Sequence, residues 1–283
     1  MITGLDHIVV VVADIASATS AYQTLLGRRP AWRSTGEGAA TVLFTLPNMT
    51  LELMSAVGDG EAAERIRAAQ AVNGDGLASL CFRVDDIDGM HRRLTRLGLG
   101  PEAITAGGST DAESGAGMTW RRTRAATAAA HGVRLFFLQT ADARPLSEPA
   151  GDAPVLGLDH VVVASQNPDR AAALYGARLG LDMALDRAHP DWGRLMFFRC
   201  GDLIVEVVQR PGQTDPSADD RLWGLSWRVA DADAARARLV AAGVAVSEVR
   251  AGRKPGTRVA SLKSGTAGVP TLLLERSERQ FAD

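Results

Sequence analysis

The sequence predicts an α+β protein built from four β-α-β-β-β modules that form two similar domains. Three observations support this fold class. The chain has 283 residues, about twice the size of a common domain. Its sequence repeats internally, and each copy of the repeat divides into two smaller units with the same order of elements. Units of about 70 residues are marginally stable alone, so we expect them to pack in pairs.

The internal repeat is visible as three segments of the first half that recur in the second half. The matched pairs are 4–7 with 157–160, 50–54 with 204–208, and 82–86 with 227–231. Their offsets of 153, 154 and 145 positions indicate a duplicated domain with small insertions. Between the copies, prolines and small or acidic residues give residues 141–154 the composition of a linker. We therefore predict domains at 1–140 and 155–283.

The elements of the first copy follow from apolar periodicity and from capping residues. A β-branched run at 8–12 predicts a buried strand, and Asp14 caps a predicted helix at 16–26 that Gly27 ends. The other predicted elements are a short strand near Trp32, strands at 41–46 and 50–54, a helix at 60–72, a strand at 77–84, a helix at 86–97, and strands at 118–122 and 133–140. The glycine-rich segment 107–117 is predicted to be a loop.

The second copy repeats this order. Asn167 is the predicted cap of a helix that has Pro168 in its first turn and ends near Leu179. The other predicted elements are strands at 161–164, 195–199, 203–209 and 225–229, a helix at 232–242, and strands at 259–262 and 271–275.

Composition excludes several classes of partner. The net charge of −2 gives no electrostatic case for binding nucleic acid or an anionic membrane. No apolar run reaches the roughly 20 residues of a membrane-spanning helix, and no signal peptide is evident at the N-terminus. The two cysteines, Cys81 and Cys200, are interpreted as small buried residues, and they favour a reducing compartment. We expect a cytoplasmic monomer or homodimer that acts on a small molecule.

Each copy of the repeat places a histidine and a glutamate in apolar strands. The four residues are His7 and Glu52 in the first copy and His160 and Glu206 in the second. An unpaired carboxylate among apolar residues needs a cation, a hydrogen-bond donor or water. Imidazole and carboxylate together suit Zn, Fe, Mn, Co or Ni. A structural His–Glu pair and a solvated glutamate are the alternatives that the residues leave open.

These strand motifs resemble the vicinal oxygen chelate superfamily, with Leu-Asp-His in the first strand of a module and Leu-Glu-Leu in the last. That superfamily contains lactoylglutathione lyases, extradiol dioxygenases, methylmalonyl-coenzyme A epimerases and bleomycin-binding resistance proteins. The resemblance implies two glyoxalase-like domains with cup-shaped mixed sheets. It also implies a divalent metal ion (Zn, Ni, Mn or Fe) bound by His7, Glu52, His160 and Glu206. Glu52 and Glu206 would then be the catalytic groups that move a proton.

The implied function is metal-assisted lyase, isomerase or dioxygenase chemistry on a substrate with vicinal oxygens. The sequence departs from the superfamily in the second module of each domain. The histidine and glutamate positions fall there on Ser79 and Phe136 in the first domain. They fall on Gly224 and Leu272 in the second domain. Only two ligands remain in each domain, which favours a lyase or isomerase over a dioxygenase and keeps metal-free small-molecule binding as the alternative function.

Two further segments carry polar groups beside aromatic ones. His189 and Trp192 lie in a segment that could close over a ligand, although a plain turn is the favoured interpretation. Arg121 and Arg122 follow Trp120 in a predicted strand, where either guanidinium could grip a carboxylate or phosphate. A surface salt bridge is the favoured interpretation for this arginine pair.

Overall fold

The computed structural model describes residues 1–277, and this part of the chain contains sixteen strands and five α-helices. The strands of the first half are β1 (Ile2–Val11), β2 (Trp32–Gly36), β3 (Ala39–Thr45), β4 (Thr50–Ala56), β5 (Gly76–Val84), β6 (Thr105–Thr110), β7 (Gly117–Arg124) and β8 (Leu135–Gln139). Those of the second half are β9 (Gly157–Ala164), β10 (Asp182–His189), β11 (Gly193–Cys200), β12 (Leu203–Gln209), β13 (Arg221–Arg228), β14 (Arg250–Ala251), β15 (Thr257–Leu262) and β16 (Thr271–Arg276). The helices are α1 (Ile15–Leu26), α2 (Glu61–Asn73), α3 (Ile87–Arg96), α4 (Pro168–Ala172), which continues as a π-helical segment at Ala173–Arg178, and α5 (Ala232–Ala241).

The strands form two eight-stranded mixed sheets of the same topology. The first has the order β2-β3-β4-β1-β5-β8-β7-β6, and the second β10-β11-β12-β9-β13-β16-β15-β14. Within each sheet, two adjacent modules pair through their first strands, β1 with β5 and β9 with β13, both antiparallel. The prediction of four β-α-β-β-β modules in two domains is therefore confirmed.

Strand alternation separates the two faces of each sheet. In β1, Ile8 and Val10 are fully buried in a hydrophobic core, while His7, Val9 and Val11 line a hollow on the opposite face. The same core contains residues of both sheets and of the helices between them. The two domains therefore share one continuous core, and each turns its His-bearing face away from it.

Polar contacts also fix the two domains to each other. Arg238 of α5 donates to the carbonyl oxygens of Thr24 and Leu25 at the end of α1, at 2.9 Å in the case of Leu25. The last carbonyls of a helix lack partners within it, so this guanidinium satisfies them. The side chain of Asn48 bonds to both the amide and the carbonyl of Leu158, at 3.1 and 2.7 Å. These contacts hold α1 and the β3–β4 turn against the second domain.

The predicted helix signals are confirmed. The Asp14 carboxylate accepts hydrogen bonds from the first amides of α1, and Gly27 ends the helix in the left-handed conformation at φ 62°. Asn167 accepts from the amide of Arg170, with Pro168 at the first helical position. No helix among residues 1–277 combines the length and apolar character needed to span a bilayer.

Three edge strands are absent from the sequence prediction, one of which is the two-residue β14. The longer two are β6, which occupies part of the segment predicted as a loop at 107–117, and β10. Both expose most of their side chains, so they lack the apolar alternation by which a strand is recognised. The segment with linker composition is packed rather than loose: Ser147 is buried and exchanges hydrogen bonds with the backbone of Thr45, at 2.8 and 3.0 Å.

Candidate active site

A β-bulge in the first strand of each domain brings an aspartate and a histidine together. Asp6 is the extra residue between Leu5 and His7 where β1 pairs with β5, and Asp159 is the extra residue before His160 where β9 pairs with β13. The Nδ1 atom of His7 lies 2.7 Å from the Asp6 carboxylate. The corresponding distance from His160 to Asp159 is 2.9 Å. Each imidazole ring is therefore fixed by the residue that precedes it.

The other ring nitrogen of each histidine faces the glutamate of the neighbouring strand. The distance from His7 Nε2 to Glu52 Oε2 is 3.4 Å, and from His160 Nε2 to Glu206 Oε2 it is 3.1 Å. All four side chains keep between 12% and 16% of their surface exposed. The structure thus brings together each histidine and glutamate that the sequence singled out, as two pairs.

Buried ion pairs hold the aspartates in their ionised form. Asp6 is fully buried and contacts Nη2 of Arg144 at 2.6 Å and Nε of Arg83 at 3.3 Å. Burial alone would raise the pKa of Asp6, but His7 and Arg144 outweigh burial and lower it. Ionised Asp6 accepts from Nδ1–H of His7, which leaves Nε2 to face Glu52.

Asp159 has the corresponding pair of guanidinium groups in the second domain. Nε of Arg228 lies at 3.2 Å and Nη2 of Arg276 at 2.5 Å. Burial works to raise the pKa of Asp159, but His160 and the two arginines lower it to about 2. Both imidazole rings are thus supported by an ionised carboxylate.

A cation or a proton fits between each Nε2 atom and its glutamate. Two protein ligands bound to one metal ion at about 2.1 Å in tetrahedral geometry lie about 3.4 Å apart, close to both observed separations. Burial disfavours the charged form of His7, but Cys81, Asp6 and Glu52 outweigh burial and raise the pKa of His7 well above its ordinary value. The donor types and their spacing therefore suit a divalent cation or a shared proton.

The four predicted ligands do not converge on one centre. His7 and Glu52 belong to the first sheet, and His160 and Glu206 belong to the second. Each sheet therefore offers one histidine and one glutamate. The departures noted in the sequence also persist, because Ser79 and Phe136 line the hollow of the first sheet where the superfamily pattern has a second histidine and glutamate.

Cys81 is a neighbour of His7 in the first domain that the sequence analysis missed. It is buried, as expected, but it pairs with His7 across the β1–β5 ladder and lines the same hollow. Ligand atoms of Asp6, His7 and Cys81 lie within 4.8 Å of one another. Glu52 is not a member of this group, so within residues 1–277 Cys81 adjoins His7 without sharing a donor set with Glu52. The sequence does not show that Cys81 lies opposite His7, because strand pairing is visible only in the folded sheet.

The hollow of the first sheet, which we call the first cup, contains a cavity of about 670 Å³. His7, Glu52 and Cys81 lie in its wall. The edge strands β2 and β6 meet at its rim, where Trp32 Nε1 donates to Ser109 Oγ at 2.9 Å. Helix α2 covers part of the opening by packing Ile66 against Val9 and Val11. A cavity of this size accommodates an organic molecule of moderate size.

The hollow of the second sheet, which we call the second cup, contains His160 and Glu206 and is crossed by an aromatic contact. The guanidinium of Arg253 lies 5.1 Å from the ring centre of Trp192, and His189 stacks on that ring at 3.9 Å. Burial raises the pKa of Glu206, and the charges of His160 and Arg253 partly offset this rise. Residues 190–192 thus form a turn, the interpretation that the sequence favoured. The ring of Trp192 in this turn contacts Arg253 at the opposite edge of the second cup.

The two arginines predicted beside Trp120 have different environments. Arg121 forms the expected surface salt bridge, a two-pronged contact with Asp88 at 2.7 and 3.0 Å. Arg122 lines the cavity of the first cup instead. Arg134 and Arg144 also line it, and neither was singled out in the sequence.

Fold, paired modules and a His–Glu pair in each sheet define this protein as a member of the vicinal oxygen chelate superfamily. Residues 5–156 match the family model described as "Glyoxalase-like domain". Residues 159–260 match the model described as "Glyoxalase/Bleomycin resistance protein/Dioxygenase superfamily". The chain belongs to this superfamily and has two glyoxalase-like domains.

Individual relatives agree with this assignment. An ethylmalonyl-CoA/methylmalonyl-CoA epimerase from Cereibacter sphaeroides is 30% identical over 100 residues, which span 35% of this chain and 73% of the epimerase. A triple mutant of 4-hydroxymandelate synthase from Streptomyces coelicolor superposes with a TM-score of 0.70 at 17% identity, covering 98% of this chain and 94% of the synthase. A Mn(II)-bound glyoxalase from Novosphingobium aromaticivorans gives a TM-score of 0.62 at 13% identity, covering 97% and 82%. At these identities the two structural likenesses concern the fold.

Proposed function

We propose that the first cup is the active site of a metal-assisted lyase or isomerase that acts on a small molecule with vicinal oxygens. The supporting observation is the His7–Glu52 pair, which lies in the wall of the 670 Å³ cavity. Nε2 of His7 faces Glu52, and Nδ1 of His7 is fixed by Asp6. The epimerase relative and the Mn(II)-bound glyoxalase come from classes whose names fit such chemistry.

In this proposal Glu52 has two roles, as a metal ligand and as the group that moves a proton. His7 and Glu52 would hold a divalent metal ion of Zn, Ni, Mn or Fe type, which would supply Lewis acidity toward the substrate oxygens. Glu52 takes or returns a proton at the adjacent carbon. Asp6 keeps Nε2 of His7 directed at Glu52. We assign proton transfer to Glu52 rather than Glu206 because the cavity adjoins Glu52.

The second pair supports a weaker proposal. His160 and Glu206 have the same spacing as the first pair, so they suit a second cation. The residues at the remaining positions, Gly224 and Leu272, provide no side-chain donor, and Ser226 opposite His160 provides only a hydroxyl group. We therefore propose that the second cup binds a metal ion more weakly than the first.

Metal-free binding of a small molecule is the second candidate function. It is favoured by Phe136, an aromatic ring at the position where the superfamily pattern has a glutamate, and by apolar side chains in the cavity wall. Sequestration of an aromatic compound would require the cavity but neither His7 nor Glu52 as a ligand.

Metal content separates the two functions. Untagged protein is equilibrated with Zn²⁺, Ni²⁺, Mn²⁺ or Fe²⁺, passed through a desalting column and analysed by mass spectrometry. We expect about one retained ion per chain, lost in His7→Ala and Glu52→Gln and kept in the matched variants His160→Ala and Glu206→Gln. Protein that retains no metal, but binds an aromatic compound equally well with and without His7→Ala, would establish the binding function instead.

A further inference from the structure

One wall of the first cup carries more arginine than its acidic groups balance. The guanidinium groups of Arg122, Arg124 and Arg134 all lie 5.7–5.8 Å from the ring centre of Phe136. Arg124 is paired with Glu102. Within residues 1–277, neither Arg122 nor Arg134 forms an ion pair or a side-chain hydrogen bond. Cation–π contacts position these two groups but leave their charge uncompensated.

Buried donors without acceptors accompany this charge. Nε of Arg134, Nε of Arg144 and Nε1 of Trp120 are buried and have no hydrogen-bond partner in the described part of the chain. All three belong to residues of the cavity wall, and all three are N–H donors. Buried donors are normally satisfied. These three atoms are closed off from the cavity, so a ligand there would meet the exposed guanidinium of Arg122 and the half-buried one of Arg134 instead.

Positive charges outnumber negative charges in the cavity wall. Its ionised arginines are Arg65, Arg122, Arg134 and Arg144, whereas its acidic residues are Glu37 and Glu52. Arg65 and Arg144 already have carboxylate partners in Glu61 and Asp6. Burial and the neighbouring positive charges of Arg124, Arg65 and Arg122 lower the pKa of Arg134. An anion beside Arg134 would relieve this repulsion.

We propose that the ligand of the first cup is a small organic oxyanion, a carboxylate or a phosphate ester, whose charged group is bound by Arg122 and Arg134. This inference deepens the proposed function and rests on the same cavity. Guanidinium groups bind both kinds of oxyanion through paired hydrogen bonds. The aromatic wall formed by Trp120 and Phe136 suits a ligand whose uncharged part is flat and apolar.

The sheet order sets the distance between the charged group and the reacting atoms. From His7 on β1 the sheet runs through β5 and β8 to β7, which carries Arg122. Three strand spacings correspond to roughly 14 Å along the curved surface. The ligand therefore has its anionic group at one end and its reacting carbon at the other, and binding of the anion positions the carbon beside Glu52.

Equilibrium binding tests this proposal without requiring turnover. The probes are phenyl phosphate, phenylacetate and the neutral 2-phenylacetamide, titrated calorimetrically into the full-length protein. We expect saturable binding of at least one anion, with the amide at least about tenfold weaker. The preferred anion identifies the oxyanion as phosphate or carboxylate.

Arg122→Gln tests whether this guanidinium binds the anion. The side chain is exposed, so its loss should not unfold the protein. We expect about a tenfold loss of anion affinity, whereas the matched variant Arg121→Gln, on the same strand but facing Asp88, should bind like the wild type. Equal affinity for amide and anions, no saturable binding of either anion, or an unchanged affinity in Arg122→Gln would overturn the proposal.

A further variant separates this proposal from the proposed catalytic function. His7→Ala removes the metal ligand but leaves Arg122 and Arg134 in place, so it should keep most of the anion affinity. Anion binding by a wild-type protein that takes up no metal would refute the catalytic proposal alone. Normal metal uptake without anion binding would refute the oxyanion proposal alone.

Discussion

The first and second cups each contain a His–Glu pair supported by a bulged aspartate, yet different elements cover the two pairs. In the first domain, α2 lies between the two modules and packs Ile66 over the cup, and the cavity remains beneath it. In the second domain, the corresponding segment 210–220 contains no helix. There Arg253 and Trp192 meet across the cup instead. The same polar pair therefore lies under a helix in the first cup and under a cation–π contact in the second.

The aspartates give the largest expected difference between the two domains. Asp6 is fully buried, and its partner Arg144 is only 11% exposed, whereas the partners of Asp159, Arg228 and Arg276, are 26% and 40% exposed. Asp6→Asn leaves a buried guanidinium unpaired and should lower the free energy of unfolding by about 3–5 kcal/mol. Asp159→Asn should lower it by roughly 1–2 kcal/mol, because solvent screens its partners.

Urea denaturation monitored by circular dichroism measures the loss of unfolding free energy in both variants. When the dependence of that free energy on urea concentration is unchanged, the shift in the unfolding midpoint reports the change in stability. Arg83→Gln is a useful control, because Arg83 is 53% exposed and should contribute less than Arg144. Equal losses for Asp6→Asn and Asp159→Asn would show that the two bulges are energetically equivalent, contrary to the comparison of their burial.

Much of this architecture could be predicted from the sequence because duplication and apolar periodicity are local signals. The strands that carry His7, Glu52, His160 and Glu206 are apolar runs, so their positions and the orientation of the four side chains follow from alternation. The edge strands β6 and β10 could not be found in this way, because solvent reaches both of their faces.

Other parts of the site depend on register, which the sequence does not display. Alignment of the two module types put the missing histidine at Ser79, whereas the ladder brings Cys81 opposite His7. In the antiparallel ladder Ser79, the equivalent of His7, pairs with Val9, so the residue that faces His7 is Cys81. The bulge at Asp6 brings that carboxylate to the neighbouring imidazole. Arg144 was hidden for another reason, since it lies in a segment of linker composition that packs against the first sheet.

Cys81 gives a second, smaller test of the comparison. Cys81 adjoins His7 in the β1–β5 ladder, so Cys81→Ala should weaken metal binding by about tenfold, because outer-sphere partners of metal ligands contribute that much. Cys200 is the matched control, since it is equally buried but belongs to the shared core. Titration with Zn²⁺ against a competing chelator should show the loss for Cys81→Ala only. Equal zinc affinity of both variants would leave His7 and Glu52 as the ligands and remove Cys81 from the site.

The aromatic contact across the second cup gives the smallest expected effect. Arg253 is exposed and Trp192 half-buried, so their cation–π interaction should contribute about 0.5–1 kcal/mol. A double-mutant cycle with Trp192→Ala and Arg253→Ala, followed by urea denaturation, isolates this coupling from the stacking of His189 on the same ring. A coupling of this size would mean that the second cup is closed by a weak contact that a ligand could displace at little cost. A coupling near zero would mean that the two edges of the second cup are not held together by this pair, and the contrast with the first cup would then rest on α2 alone.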